Sequence, residues 1–298
     1  MIDQNENGIC DLDELESGTC GPESCGPGTV WDEGTQACIV AYPADSNFDG
    51  CVQLNDLLDL LSAYGLCQTA EVLWSCGDPL EYQGYNYATV LIGEQCWFAE
   101  NLRSQNYQNG DAIPANLSDS DWENTSSGAV AVFGEGSSLC FNSSPDGDSC
   151  DEAWSLDEYG RLYNWYAVND VRGLCPSGWH VPTDGDWMTM EMALGMSEAE
   201  ANAELWRGTD QGTQMKTDYG WDNGGNGTNS GGFSGLPGGY RDRNGTFGNT
   251  GYYGLWWSSL SDGSLAWFRI LGSSDEGVYR DSTTPRDGIS VRCVQNAE

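Results

Sequence analysis

Eighteen carboxylates precede the first basic side chain of this 298-residue sequence, Arg103, so the first third of the chain carries no internal counter-charge. Like charges gathered into a compact state repel one another, and such a segment gains from bound cations. The imbalance continues to the C-terminus: 46 acidic against 11 basic side chains leave a formal charge of −35. That charge opposes polyanionic partners, so nucleic acid is not expected as a partner and anionic lipid is a poor one. No run approaches 18 apolar residues, and membrane insertion is not expected. Thirteen Trp, 14 Tyr and 7 Phe supply apolar area for a core, which makes the chain globular rather than disordered.

Two twelve-residue patterns inside the acidic segment have the spacing of calcium loops. In Asp3–Glu14, oxygen ligands fall at Asp3, Asn5, Asn7, Asp11 and Glu14, with the Ile9 carbonyl at position 7 and Gly8 at the sharp turn of position 6. In Asp45–Asp56 the ligands are Asp45, Asn47, Asp49, the Cys51 carbonyl, Gln53 through water, and Asp56. The competing reading is a polar turn whose side chains bond their own backbone. Two copies in a segment without cations favour calcium, in a structural rather than regulatory role. The second loop resembles the dockerin repeat, although Val52 sits one place later than in that pattern. The first resembles the Asp-rich repeats of thrombospondin type 3 segments, since Ser17–Pro22 ends any helix almost at once. A cohesin-type partner is therefore not expected.

Twelve cysteines, an even number without a Cys-x-x-Cys or Cys/His spacing, read as up to six disulfides and an oxidising compartment. Several stand beside Gly, Pro, Ser and Asp, where a free thiol would be exposed. No signal peptide is visible and the sequence opens inside a motif at Asp3, so the expectation is a piece of a longer extracellular or cell-surface protein.

Composition changes near residues 68–76, which divides the chain into an acidic, Cys-rich segment over 1–75 and an aromatic, strand-rich domain over 76–298. Helical patterns run from Leu54 to Tyr64, from Asp184 to about Leu205, and from Gly160 to Val168. Strands are predicted at Ala88–Ile92, Gln95–Phe98, Ala129–Phe133, Trp256–Ser259, Ala266–Leu271 and Ile289–Val294. With long Gly- and Asn-rich connections, this is an α+β pattern with a loop-heavy surface.

From about Cys76 the sequence resembles the Fibrobacter succinogenes major paralogous domain, secreted bacterial modules related to C-type-lectin-like and formylglycine-generating-enzyme-like folds. The matching text is Tyr87–Leu102, Tyr159–Trp165, Cys175–Thr183, Gly232–Arg241, Trp256–Ser259 and Ser290–Val294, in order over some 220 residues. The resemblance implies a C-type-lectin-like domain with long loops, preceded by the small disulfide-rich calcium-loop segment. It also implies pairing of Cys175 with Cys293 and of Cys140 with Cys150. Cys76 with Cys96 and Cys51 with Cys67 are further pairings, and sequence alone does not fix the connectivity.

Catalysis is not expected. His180, the single histidine, lies among apolar neighbours in one of the shared blocks and reads as structural; copper- and cysteine-based chemistry is not carried over, because these cysteines read as paired. Carboxylate pairs for glycoside hydrolysis remain open among 46 acids. Recognition is the favoured class: Tyr240, Arg241, Arg243, Asn244, Tyr252, Tyr253 and Trp257 combine rings that stack on sugars with groups that bind hydroxyls. Trp257 and Trp267 also read as core of a terminal sheet. Trp221-Asp222-Asn223 resembles, in altered order, a calcium signature of C-type lectins. The expected partner is a glycan or an extracellular protein, with a self-associating assembly subunit as the alternative. Five Asn-x-Ser/Thr sequons, at Asn116, Asn124, Asn142, Asn226 and Asn244, mark accessible loops.

Overall fold

The computed structural model describes residues 29–32, 37–40, 74–136, 140, 141 and 143–296. The chain forms two compact units, Met1–Trp74 and Ser75–Glu298. In the first, β1 (Thr29–Asp32) pairs antiparallel with β2 (Ala37–Val40), Trp31 opposite Cys38. The expected Leu54–Tyr64 helix, both calcium loops and the Cys51–Cys67 pairing lie outside the described residues.

The second unit is α+β and mostly sheet. It begins with β3 (Leu80–Tyr82), β4 (Tyr85–Tyr87), β5 (Thr89–Ile92) and β6 (Gln95–Phe98). Helix α1 (Asp119–Asn124), β7 (Val130–Ala131), α2 (Glu152–Tyr159), β8 (Leu162–Tyr163) and α3 (Trp165–Val168) follow. Next come α4 (Asp184–Ala193), α5 (Glu198–Asn202), β9 (Leu205–Arg207) and α6 (Gln211–Met215). The C-terminal part is β10 (Gly238–Arg241), β11 (Phe247–Thr250), β12 (Tyr253–Asp262), β13 (Leu265–Gly272), β14 (Val278–Thr283), β15 (Ile289–Ser290) and β16 (Val294–Asn296).

The principal sheet runs β7-β8-β15-β12-β13-β14-β9, with β10 joined to β12 and β11. Directly paired residues share a face, and the register sorts the side chains accordingly. Trp256 opposite Arg269 and Gly254 opposite Leu271 lie on the inner face. Leu255 opposite Ile270, Ile270 opposite Tyr279, and Tyr279 opposite Trp206 lie on the outer one. The inner face packs a core that includes Trp97, Trp187, Met190, Phe233, Trp256, Leu271 and Val294. Burying each such large side chain contributes about 1.5–3 kcal/mol.

The long helix expected from Asp184 to Leu205 is two helices and a strand. Gly195, at φ +103°, closes α4, and Ser197 caps α5 through reciprocal bonds with Glu200. The Gly160–Val168 helix is instead β8 followed by α3, whose first turn is capped by Asn164. The expected Ile289–Val294 strand splits, β15 joining the principal sheet and β16 pairing with β6.

Among the described residues three disulfides form: Cys76–Cys96, Cys140–Cys150 and Cys175–Cys293. The last spans 118 residues and ties the segment before α4 to the chain end beside β16.

Most of the basic side chains serve the interior. Lys216, Arg207, Arg241, Arg269, Arg280 and Arg292 are all buried. On α4, Asp184 and Glu191 are two turns apart on one face and meet three guanidinium groups from β9, β13 and β14. Arg269 bonds Glu191 at 2.7 Å and Asp184 at 2.8 Å, Arg280 bonds Asp184 at 2.7 Å, and Arg207 bonds Glu191 at 2.8 Å. Burial opposes ionisation of Asp184, but the Arg280 bonds and the Arg269 charge outweigh it and hold its pKa below the ordinary value. Arg292 donates to Asn101 Oδ1 and to the carbonyls of Phe98, Phe233 and Ser234, and burial pushes its pKa down to about 9. Lys216 Nζ donates to the carbonyls of Gly272 and Asp275, both at 2.9 Å.

Candidate functional site

A cleft of about 380 Å³ lies on the outer face of the principal sheet. Period-two alternation along β12 and β13 places Leu255, Phe268 and Ile270 on its floor, and Ile289 joins them from β15. The rim is polar or aromatic: Tyr240, Asp242, Arg243, Asn249, Tyr253, Thr283 and Asp287. A smaller recess of about 280 Å³ shares Asn249 and Tyr253 and adds Tyr252, Ser273, Ser274 and Asp275.

The β10–β11 turn sets one wall. Asp242 Oδ1 accepts from Asn244 N at 3.0 Å, and Gly245, at φ +89°, occupies the left-handed position that a side chain would strain. Asp287 anchors this turn: its Oδ1 accepts from Arg243 N at 3.0 Å and its Oδ2 from Thr283 Oγ1 at 2.7 Å. Burial, with the Asp242 charge adding to it, raises the Asp287 pKa. Tyr240 is raised by burial and then by the charges of Asp242 and Asp287. Bonding to Asp222 raises Tyr252.

The sequence-expected ligand residues divide into two groups. Tyr240, Arg243, Tyr252 and Tyr253 line the cleft and its neighbour. Asn244 stands exposed in the turn, its Oδ1 accepting from Thr246 N at 3.0 Å. Arg241 and Trp257 are buried and line neither recess. Arg241 donates to the Gly245 and Leu117 carbonyls while its guanidinium lies 4.4 Å from the Trp122 ring centroid, so it fixes the turn from beneath. Trp257, paired with Phe268 of the cleft floor, is fully buried and donates to Tyr163 O at 2.7 Å.

Asn249, Leu255, Phe268, Ile270, Thr283, Asp287 and Ile289 were not anticipated as site residues. The alternation of β12 and β13 was the available signal, but which parity faces the cleft depends on strand pairing.

A larger cleft of about 530 Å³ is lined by residues such as Pro114, Gly128, Tyr166, Asp170 and Arg172. Its ionic groups are committed to one another. Arg172 bonds Asp170 at 2.8 Å and Asp111 at 3.2 Å, and Asp170 is drawn down to about 2 by the Arg172 bond. The smaller cleft, with an apolar floor and the Tyr240 and Tyr253 rings, is the better candidate.

His180 Nε2 lies 3.1 Å from Asp186 Oδ2, and its backbone exchanges bonds with Val294. Asp186 also accepts from Thr183 N in the α4 capping box. This histidine therefore sits in a helix cap, away from the candidate cleft. In Trp221-Asp222-Asn223 the indole is buried and Asp222 bonds Tyr252. The twelve calcium-loop residues, from Asp3 to Glu14 and Asp45 to Asp56, lie outside the described residues. No helix of the described residues is long and apolar enough to cross a membrane.

Comparison with protein families matches residues 90–295 to the Fibrobacter succinogenes major domain. No curated protein and no solved structure matches the chain.

Proposed function

We propose, from the premise that this chain belongs to the Fibrobacter succinogenes major domain family, that its second unit is a secreted, non-enzymatic recognition domain of C-type-lectin-like type that binds glycans. The reading rests on the outer-face cleft, which combines an apolar floor, the Tyr240 and Tyr253 rings and hydroxyl-binding groups at the rim. Sugars present apolar faces and polar edges, and this pattern complements both. Three disulfides among the described residues fit an oxidising, extracellular setting. A hydrolase is disfavoured at this cleft because both Asp287 oxygens already accept bonds, from Arg243 N and Thr283 Oγ1. In this reading the N-terminal unit is a calcium-stabilised spacer held by the two loops.

A glycan array probed in millimolar calcium and again in EDTA tests the reading. Reproducible binding to one sugar class, abolished by Tyr240→Ala and Tyr253→Ala, is expected. Silence in both conditions would displace it in favour of a self-associating surface subunit, which calcium-dependent sedimentation measures.

A further inference from the structure

Beyond the cleft, the outer face continues across the sheet to its edge strand. Leu255 pairs with Ile270, Ile270 with Tyr279 and Tyr279 with Trp206, so one row of side chains runs from β12 to β9. Three strand spacings of about 4.8 Å separate those strands, roughly 14 Å across, more than one sugar ring. At the far end the Trp206 side chain is 41% exposed, unlike Trp97, Trp122, Trp187, Trp256 and Trp257, which are fully buried.

Its exposure is not looseness. Tyr279 packs against the indole with ring centroids 5.3 Å apart, and the Tyr279 hydroxyl is itself fixed to Asp281 Oδ2 at 2.9 Å. A ring held in place before binding loses little freedom when a ligand arrives.

Gly272 gives an independent sign. A Cβ at this position would stand 3.0 Å from Trp206 Cη2, 3.4 Å from Tyr253 Cε1 and 2.6 Å from Asp275 Oδ2. Trp206 and Tyr253 therefore converge over a strand residue that has no side chain to separate them. Tyr253 also belongs to the cleft, so the two aromatic surfaces are continuous. Carboxylates, Asp275 and Asp281, flank the row, which disfavours an anionic polysaccharide.

We propose that Trp206 is a second sugar-stacking subsite, extending the Tyr253 cleft over Gly272 so that the domain binds a neutral, β-linked glucan chain along the sheet rather than a single terminal sugar. All-equatorial glucose units present two flat faces, which suits stacking on an exposed indole. The proposal rests on the glycan reading above and adds chain length and charge to it.

Titration calorimetry with cello- and laminari-oligosaccharides of two to six units tests it on the full chain. For at least one series, wild-type affinity should rise about tenfold from the dimer to the hexamer. Trp206→Ala should retain dimer affinity and lose that gain, Trp206→Tyr should recover most of it, and Gly272→Ala should reduce it by separating the rings. Melting curves of each variant establish that the fold is intact, and the tyrosine variant separates stacking from folding. Affinity independent of chain length, or equal loss of dimer and hexamer binding in Trp206→Ala, would overturn the second subsite while leaving the cleft reading in place. Array binding to other sugars without glucan binding would do the same. Array silence would remove both.

Discussion

Replacing Glu191 by Gln tests whether the ionic cluster beneath the sheet organises the second unit. The carboxylate is fully buried and accepts from Arg207 and Arg269, while Asp184 takes Arg269 and Arg280. Three guanidinium groups against two carboxylates leave one net positive charge inside, and the amide leaves two. Removing one partner of a buried pair costs about 3–5 kcal/mol, because the remaining charge has lost its solvent without keeping its counter-ion. For a unit of this size each kcal/mol moves the melting temperature by about 2–4 °C, so a fall on the order of 10 °C is expected. Urea unfolding of the oxidised protein, followed by Trp fluorescence, gives the free energy directly. The double variant Glu191→Gln/Arg207→Met should recover part of the loss by lowering the surplus charge again. A loss below about 1 kcal/mol, or a double variant whose cost is the sum of the singles, would refute the reasoning.

Breaking Cys175–Cys293 by paired alanine substitution should cost about 5 kcal/mol on the chain-entropy account of a loop of 118 residues. Breaking Cys140–Cys150, separated by 10 residues, should cost less. Urea midpoints under non-reducing conditions compare the two. Stability should also carry two opposed pH dependences. Asp184 and Asp186 titrate below their usual value despite burial, so their stabilisation is full above about pH 4 and is lost as pH falls through the lowered folded-state pKa. Asp287 is raised by burial, so its contribution is favourable in acid and declines as pH rises through the raised folded-state pKa. Asp287→Asn should abolish that decline in denaturation midpoints measured between pH 3 and 7. EDTA should lower the melting temperature of residues 1–75 and leave the second unit largely folded; unchanged melting in excess chelator would remove the calcium expectation.

Several strand positions were legible in the sequence. Gln95–Phe98 is reproduced to the residue, and Ala266–Leu271 lies inside Leu265–Gly272. Apolar spacing overran at Gly195, where a left-handed residue ends α4 although Met196 and Ala201 continue the pattern into the same core. Short helices such as α1 offer too few turns for periodicity; Ser118 at its cap was the available sign. The Asp184–Glu191–Arg207–Arg269–Arg280 cluster was invisible for another reason. Its members are scattered along nearly 100 positions, and only the antiparallel pairing of β9, β14 and β13 gathers the three arginines, Arg269 opposite Arg280 and Arg207 opposite Val278 two residues along the same strand. The burial of Arg241 was not legible, because it neighbours exposed residues in sequence while its own strand position points inward.

The blocks that carry the family resemblance describe scaffold more than site. Asn101, Phe233, Trp256 and Arg292 join one buried network, with Asn101 Oδ1 accepting from both Trp256 and Arg292. Most of the cleft rim, including Asp242, Arg243, Asn249, Tyr253 and Asp287, lies outside those blocks.

The inward placement of the basic side chains also decides how the domain meets a protease that cleaves after Lys or Arg. The first 102 residues offer it nothing, and six of the remaining eleven sites are buried. Arg103, Arg161, Arg172 and Arg286 are half-buried and bonded through their guanidinium groups, which leaves Arg243 as the exposed basic residue. Its peptide bond lies in the β10–β11 turn at the lip of the cleft. Tryptic digestion of the native protein should therefore begin with one cut, and an occupied cleft should delay it, turning proteolysis into a gauge of ligand binding.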